Sequence, residues 1–245
     1  MPSLVYSRKA FPREACNACQ GCETRRMALC AALGPDELPD LERIMGSTRL
    51  DANQVLFEEG SPRRRAYTLT SGMVRLSLAL PDGRRQITGF LMPGDYLGLA
   101  DDDTYLQTAE AVVPSTLCSF SVAEMDALME RHGHLKDRLH EMTRQALRQA
   151  RESQMILGRL APSEKVASFL LVMAARAAEH GLADDPLHLP MTRTDIADYL
   201  GLTIETVSRT FTKLKSQGLI RLPEPHSVEI VDKRLLAAVA GIGNY

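Results

Sequence analysis

The sequence contains no tryptophan, and aromatic residues make up only 5% of its 245 residues. Proteins that hold single-stranded nucleic acids stack the bases on exposed aromatic rings, so this kind of binding is not expected. A basic net charge is lacking as well, because the chain carries −2 at neutral pH. Any contact with DNA must therefore come from a local basic patch.

Long apolar runs are absent too. No stretch approaches the ~20 apolar residues that a membrane helix needs, and residues 1–15 lack the continuous apolar core of a secretory signal. These absences predict a cytoplasmic protein without a membrane partner.

Catalytic groupings are also lacking, because the six histidines are scattered and no nucleophile–histidine–carboxylate or paired-carboxylate pattern is found. An enzyme is therefore not expected.

What the sequence does have is a concentration of cysteine. Cys16, Cys19, Cys22 and Cys30 lie within fifteen residues, and Cys118 follows much later. An odd number of cysteines in a chain without an export signal is not typical of a disulfide framework. Dense cysteines in a reducing compartment favour metal or redox chemistry instead.

The spacing Cys19-x2-Cys22-x7-Cys30 supplies three thiolates on one segment, and Cys118 can supply a fourth. Four thiolates hold either a [4Fe–4S] cluster or a tetrahedral zinc ion, and the spacing alone does not choose between them. Two alternatives stay open. Cys16 completes a rival local set with the other three early cysteines, and Cys118 can instead be a buried thiol of the core.

Hydrophobic periodicity divides the chain into four regions of an α+β protein. Residues 1–34 carry the cysteines, and residues 35–121 combine a short amphipathic helix over 35–46 with short strands typical of a β-sandwich or barrel. Residues 122–160 predict a short helix that breaks near Gly133 and a long helix over 135–157. Residues 161–245 form a compact last block. The strand candidates are residues 55–57, 74–80, 87–92, 109–113 and 117–120.

Residues 192–216 predict two short helices joined by a tight turn, which is the helix-turn-helix pattern. Thr192 and Asp195 form a capping box, Gly201 can end the first helix, and Thr203 can cap the second.

Strands at 219–222 and 228–231 predict a β-hairpin wing. The alternative is a plain packing unit with a solvated charged face. Against it, the second helix exposes side chains that can bond base edges or phosphates, namely Glu205, Ser208, Arg209, Thr212 and Lys213, and Lys215 and Arg221 add to a local basic excess.

The long helix carries an apolar seam at alternating steps of four and three, the spacing of a two-stranded coiled coil. We therefore predict a homodimer with a marginal interface, since the middle of the seam is small or polar and buries little apolar area. The alternative is a helix packed against its own chain. The predicted seam consists of Leu135, Leu139, Met142, Ala146, Gln149, Ser153, Ile156 and Leu160.

These motifs together resemble the CRP/FNR superfamily of bacterial regulators, specifically the FNR-type oxygen sensors and their FixK/FnrN relatives. The resemblance rests on the cysteine spacing, on Cys118 within residues 116–120, and on Glu205-x2-Ser208-Arg209. It implies a cyclic-nucleotide-binding-type β-roll, a long dimerisation helix and a C-terminal winged helix-turn-helix. It also implies a [4Fe–4S] cluster on Cys19, Cys22, Cys30 and Cys118, with Cys16 as an extra.

The resemblance further implies that Glu205, Ser208 and Arg209 read DNA, and we add Thr203 and Lys213 to the expected interface. The expected partners are double-stranded DNA carrying a palindrome similar to TTGAT-N4-ATCAA, a second copy of the chain, and RNA polymerase. The expected function is regulation, mainly activation, of anaerobic or microaerobic genes.

Nucleotide-binding members of this superfamily hold the phosphate of cyclic AMP with an Arg-Ser/Thr pair, and Gln107-Thr108 stands at that place here. An anionic phosphate would lose its charge-assisted bidentate partner, so cyclic AMP binding is not expected. The alternative function is a CRP-like regulator that responds to a different small ligand, with cysteines that bind zinc or are incidental.

Overall fold

The computed structural model describes residues 19–98, 103–182 and 186–241, and it has the expected α+β architecture. Two 3-10 helices span Glu23–Arg26 and Leu29–Ala32. The helices are α1 (Leu38–Ile44), α2 (Val122–Arg131), α3 (Gly133–Arg159), α4 (Pro162–Glu179), α5 (Arg193–Leu200), α6 (Ile204–Ser216) and α7 (Lys233–Ala240). The strands are β1 (Met45–Leu50), β2 (Val55–Phe57), β3 (Arg65–Ala79), β4 (Arg85–Leu91), β5 (Tyr96–Leu97), β6 (Thr108–Ser121), β7 (Leu187–His188), β8 (Ile220–Arg221) and β9 (Ser227–Ile230).

The N-terminal sheet is built around two long antiparallel strands, β3 and β6. Its order is β1-β6-β3-β4, with β2 added to β6 and β5 added to β3. Side chains that alternate along β3 and β6 bury one row, including Leu69, Val74 and Leu117, inside the folded sheet. Gly72 allows the two strands to approach, because a Cβ there would lie 2.3 Å from Ser115 Oγ and its φ is +87°.

Several parts of the N-terminal region differ from the sequence-based expectation, among them β3, which begins at Arg65 and not at residue 74. Residues 109–113 and 117–120 belong to one strand, β6, which continues through Pro114 where the pairing with β3 is irregular. The predicted helix over 35–46 is shorter, because Met45 already begins β1. β1 and β5 were not predicted, since their pairing with β6 and β3 is not visible in their own short sequences.

The helical region follows the prediction more closely. α3 covers the expected long helix, and α2 ends at Arg131, close to the break expected near Gly133, which is itself the first residue of α3. The N-terminal end of α3 packs through Leu135 on Leu128 of α2 and on residues around the cysteines. Within the described residues, no helix is both long enough and apolar enough to cross a membrane.

The C-terminal block contains the expected helix-turn-helix and wing. Thr192 Oγ1 accepts the Asp195 amide at 3.1 Å, and Gly201 ends α5 with φ +61°. β8 and β9 form the hairpin that the sequence predicts. β7, which was not predicted, has only two residues and pairs with β9. α7, which packs on α4, was not predicted.

A network of charged side chains joins the sheet to the helix-turn-helix. Arg75 on β3 and Arg85 on β4 both bind Asp195 of α5, with nitrogen–oxygen distances of 3.2 and 2.8 Å. Glu110 on β6 also accepts from Arg75, and Asp198 accepts from Arg85 at 2.9 Å. Asp195 is almost fully buried, and it also accepts from the Thr192 backbone and hydroxyl. Asp195 therefore both caps α5 and fixes it to the sheet.

Replacing Asp195 by alanine should lower the free energy of unfolding by about 3–5 kcal/mol, because it leaves the buried Arg75 guanidinium without one of its counter-ions. Urea unfolding followed by circular dichroism measures this change. Asp198→Ala is the matched control on the same helix. Its carboxylate is more exposed, so a loss of about 1 kcal/mol or less is expected. Equal losses in the two variants would contradict the role given to Asp195.

Candidate cysteine site and nucleic-acid interface

The segment from Cys19 to Leu33 carries three cysteines and is shaped by the two 3-10 helices. Cys22 lies at the N-terminal end of the first helix, and Cys30 lies within the second. Arg25 Nη2 donates to the Leu33 carbonyl at 2.7 Å, which ties the first 3-10 helix to the C-terminal end of the segment. Leu29 and Leu33 are buried against α2 and β6. The apolar side chains therefore anchor the segment in the orientation that gathers its thiols.

Cys118 lies on β6 between Ser47 of β1 and Thr68 of β3. Because side chains alternate along a strand, Cys118 shares its face with Phe120 while Leu117 points into the sheet core. All four described cysteines line one pocket with largely apolar walls. The other residues of this pocket are Thr24, Ala28, Leu29, Leu41, Met45, Thr68, Thr70, Phe120, Met125 and Leu135.

Burial disfavours the charged form of Cys19, Cys30 and Cys118. It raises the pKa of Cys19 and Cys118 from 9.0 to about 12 and that of Cys30 to about 11. Repulsion among the four sulfurs acts in the same direction, and Glu42 adds to it at Cys19. The thiols can therefore act together as thiolates only when positive charge binds among them.

The donor set fits an iron–sulfur cluster. Among the described residues, the only three metal-binding side chains with ligand atoms within 4.8 Å of one another are Glu37, His132 and His134. No three of the four described cysteine sulfurs therefore lie within 4.8 Å of one another, whereas the Zn–S bonds of about 2.3 Å in a zinc site place its sulfurs about 3.8 Å apart. Four spaced thiols in an apolar pocket are a suitable ligand set for a four-iron cluster.

Two contacts that the sequence did not reveal hold the cysteine segment in place. The Cys19 amide donates to Glu42 Oε1 of α1 at 3.1 Å, and Arg138 Nη2 of α3 donates to the Met27 carbonyl at 3.0 Å. Both join a helix side chain to a backbone group that is distant in sequence, so no local pattern signals them. Cys16 lies outside the described residues, and its candidacy as a ligand stays a prediction.

The second helix of the helix-turn-helix, α6, has one solvent face. Its buried side is formed by Val207, Thr210, Phe211 and Leu214. Thr203 caps the helix by accepting the Thr206 amide at 3.2 Å, and it is itself exposed. The side chains predicted to read bases or bind phosphates all lie on the exposed side, namely Glu205, Ser208, Arg209, Thr212 and Lys213.

The charges of this face are arranged locally. The pKa of Glu205 is lowered by its own backbone amide, by the Thr203 hydroxyl and by nearby Arg209. Glu205 is therefore a hydrogen-bond acceptor at neutral pH. Arg221, which the sequence grouped with the basic residues, pairs with Glu229 across the wing at 2.6 Å. The positive charge of the face therefore comes mainly from Arg209, Lys213 and Lys215.

Two side-chain contacts hold the helices of the motif, one to α4 and one to each other. Lys165 Nζ of α4 donates to the Leu200 carbonyl at 3.1 Å, which satisfies the C-terminal end of α5. The Arg193 guanidinium carbon lies 3.3 Å from the centroid of the Phe211 ring, a cation–π contact between α5 and α6. Burial lowers the pKa of Arg193 to about 10, so the side chain stays charged at neutral pH.

The predicted dimer seam does not form one exposed stripe on α3. Leu135 and Ile156 are buried inside this chain, where they pack in its own core, which corrects the expectation that both face a partner. Ser153 Oγ lies 3.3 Å from the Tyr199 hydroxyl. Leu139, Met142, Gln149 and Leu160 are partly buried and Ala146 is exposed. The large apolar side chains that α3 does expose are Leu147, Met155 and Leu157.

Known proteins share both halves of this architecture. Residues 47–132 match the family of the cyclic nucleotide-binding domain, and residues 164–239 match that of the Crp-like helix-turn-helix domain. The nitrogen fixation regulation protein FixK of Bradyrhizobium diazoefficiens is 41% identical over 83% of this chain and 86% of its own length. The transcriptional activatory protein AadR of Rhodopseudomonas palustris is 38% identical over 98% of this chain and 99% of its own. The structure of FixK2 from Bradyrhizobium japonicum, 31% identical, covers 80% of this chain and 97% of that one with a TM-score of 0.75.

The raised thiol pKa values predict slow alkylation of the metal-free protein. At pH 8, iodoacetamide should modify Cys19 and Cys118 about 100- to 1000-fold more slowly in the folded chain than in urea, because only the thiolate reacts. Mass spectrometry of peptides sampled over time measures each rate. Rates within a factor of about ten of the unfolded values would show that the pocket does not desolvate its thiols.

Proposed function

Because this chain belongs to the CRP/FNR family of transcription regulators, it is a DNA-binding protein and not an enzyme, and we propose that it activates transcription when oxygen is low. Activation is supported by the names of AadR, a transcriptional activatory protein, and of FnrL from Cereibacter sphaeroides, a transcriptional activator protein. Oxygen sensing is the part that the cysteine pocket supports.

The observation that carries the proposal is the convergence of four thiols on one apolar pocket. Cys19, Cys22, Cys30 and Cys118 would hold a [4Fe–4S] cluster, which would supply redox chemistry sensitive to oxygen. The chain contributes an apolar enclosure that limits access of water. It also contributes Glu42 and Arg25, which hold the backbone of the segment at Cys19 and Leu33.

The proposed target is a palindrome similar to TTGAT-N4-ATCAA, bound by a homodimer that places one α6 helix in each half-site. Arg209 can donate two hydrogen bonds to guanine, and Glu205 can accept from cytosine N4. Ser208 can contact a thymine methyl or a phosphate. Lys213 and the N-terminal end of α6 at Thr203 are suited to phosphates. Activation requires contact with RNA polymerase, which we include as a proposed partner.

The link between the two sites is proposed to pass through the start of α3. Leu135 forms part of the cysteine pocket, and Arg138 bonds the Met27 carbonyl. A cysteine segment whose thiols hold the cluster together with Cys118 keeps these contacts, whereas a segment released from the cluster loses them. Loss would alter how α3 packs and pairs with a second copy, and a weakened dimer binds a two-fold symmetric site less tightly.

A second candidate is a regulator that responds to a small ligand while its cysteines bind zinc. The observation in its favour is a cleft of about 850 Å³ between the sheet, α3 and α4. Cyclic AMP suits this cleft poorly. Gln107, which replaces the arginine of nucleotide-binding relatives, offers an amide 3.0 Å from Thr88 Oγ1 and no guanidinium for a phosphate.

Protein isolated without oxygen should be brown and should contain about four iron and four sulfide per chain. Cys118→Ser should abolish this content, because it removes one ligand from the pocket, whereas Cys16→Ser is the control that should keep it. Metal and sulfide analysis and the visible absorption spectrum measure the outcome. Colourless protein with stoichiometric zinc would instead support the second candidate.

Arg209→Ala should cost about 1–3 kcal/mol of binding to the cognate site and relax selection of the base that it contacts. Lys213→Ala is the matched control on the same face. It should weaken binding to all sequences alike and reduce the salt dependence, because its expected partner is a phosphate. Fluorescence anisotropy with specific and random duplexes at several salt concentrations separates these effects. An unchanged ratio of specific to random affinity in Arg209→Ala would contradict the assignment of Arg209 to a base.

A further inference from the structure

A second group of metal-binding side chains lies outside the cysteine pocket, at the junction of α2 and α3. Glu37 precedes α1, whereas His132 and His134 flank the start of α3. One ligand atom from each lies within 4.8 Å of the other two. The carboxylate of Glu37 reaches both rings, with Oε1 3.0 Å from His132 Nδ1 and Oε2 3.1 Å from His134 Nε2.

His132 occupies a position that a neutral imidazole does not satisfy. Its Nδ1 faces Glu37, and its Nε2 lies 3.2 Å from Asp40 Oδ2, so both ring nitrogens face carboxylate oxygens. A neutral ring has only one N–H, and one contact would then oppose a nitrogen lone pair to a carboxylate. Either a second proton or a metal ion at Nδ1 removes this conflict.

The surroundings resemble those of a metal-binding histidine. Asp40 can accept the Nε2 proton of His132, which is the carboxylate–histidine arrangement that orients such ligands. Asp40 is itself held by Arg43 at 3.1 Å and Arg131 at 3.2 Å. The Gly34 amide donates to Glu37 at 2.8 Å, and this bond is the largest cause of the lowered pKa of Glu37.

We propose that Glu37, His132 and His134 bind one divalent transition-metal ion, with zinc as the best match. Two imidazoles and one carboxylate form a donor set that zinc accepts, with water in the fourth position. Calcium and magnesium prefer oxygen donors throughout. The site differs from the cysteine pocket in having no sulfur.

The location of this site gives it a mechanical role. Glu37 follows the cysteine segment within a few residues, and His134 directly precedes Leu135, which lines the cysteine pocket. A bound ion therefore fastens the end of the segment to the start of α3. This would retain only the end of the segment next to Glu37 when the cysteines release the rest of it. The regulatory consequence rests on the proposed function, whereas metal binding itself does not.

Zinc content after equilibrium dialysis tests the site in the full-length protein. His134→Gln should bind one equivalent of zinc per chain fewer than the parent, whereas His140→Gln, an exposed histidine further along α3, should bind the same amount. The difference does not depend on what the cysteines hold. With cobalt(II) as the probe, the parent-minus-variant spectrum should show weak visible bands without an intense sulfur-to-metal band.

Asp40→Asn supplies a variant that keeps all three ligands, and its zinc affinity should fall about 10- to 100-fold. Circular dichroism in EDTA verifies that each variant is folded. Equal zinc content and affinity in the parent and both site variants would overturn the metal site and leave the cysteine proposal standing. Parent protein without iron and sulfide would overturn the cysteine proposal, and the loss of one zinc equivalent in His134→Gln would still support the metal site.

Discussion

Exclusion of water from the cysteine pocket is the constraint on which the N-terminal half of the molecule depends. The apolar walls make the buried thiols resist ionisation, so the thiolates form only with positive charge bound among them. The walls come from the 3-10 segment, α1, β6, α2 and α3 together. No single element can enclose four sulfurs, and the early chain therefore folds back over the sheet.

This enclosure places the chemistry beside the elements that carry the DNA-binding half. β6 holds Cys118 and also pairs with β1, β2 and β3, so it is the central strand of the sheet. α3 begins at the cysteine pocket and leads directly to α4. The buried Arg75–Asp195 contact then joins the sheet to α5. A change at the cysteines thus has two physical routes to the helix-turn-helix, one through α3 and one through the sheet.

The same arrangement explains which elements the sequence predicted. The helix-turn-helix was predictable because its signals are local: a capping box at Thr192, a left-handed Gly201 and a period of buried residues that ends at Leu214. β1, β5 and β7 were missed because short strands are ordered by distant partners. The burial of Leu135 and Ile156 in this chain's own core was also missed, since a seam has the same spacing whether it packs on a second copy or on its own chain.

The sequence by itself determined the chemistry: three cysteines at fixed spacing with a fourth far away, and a capped helix with Glu205, Ser208 and Arg209 on one face. These properties are set by residue type and by periods of a few residues. Only the tertiary structure decided that Cys118 joins the early cysteines, that Asp195 binds two arginines of the sheet, and that Glu37 meets His132 and His134. Each of those contacts spans many residues, and it forms because burial of apolar surface brings separate elements together.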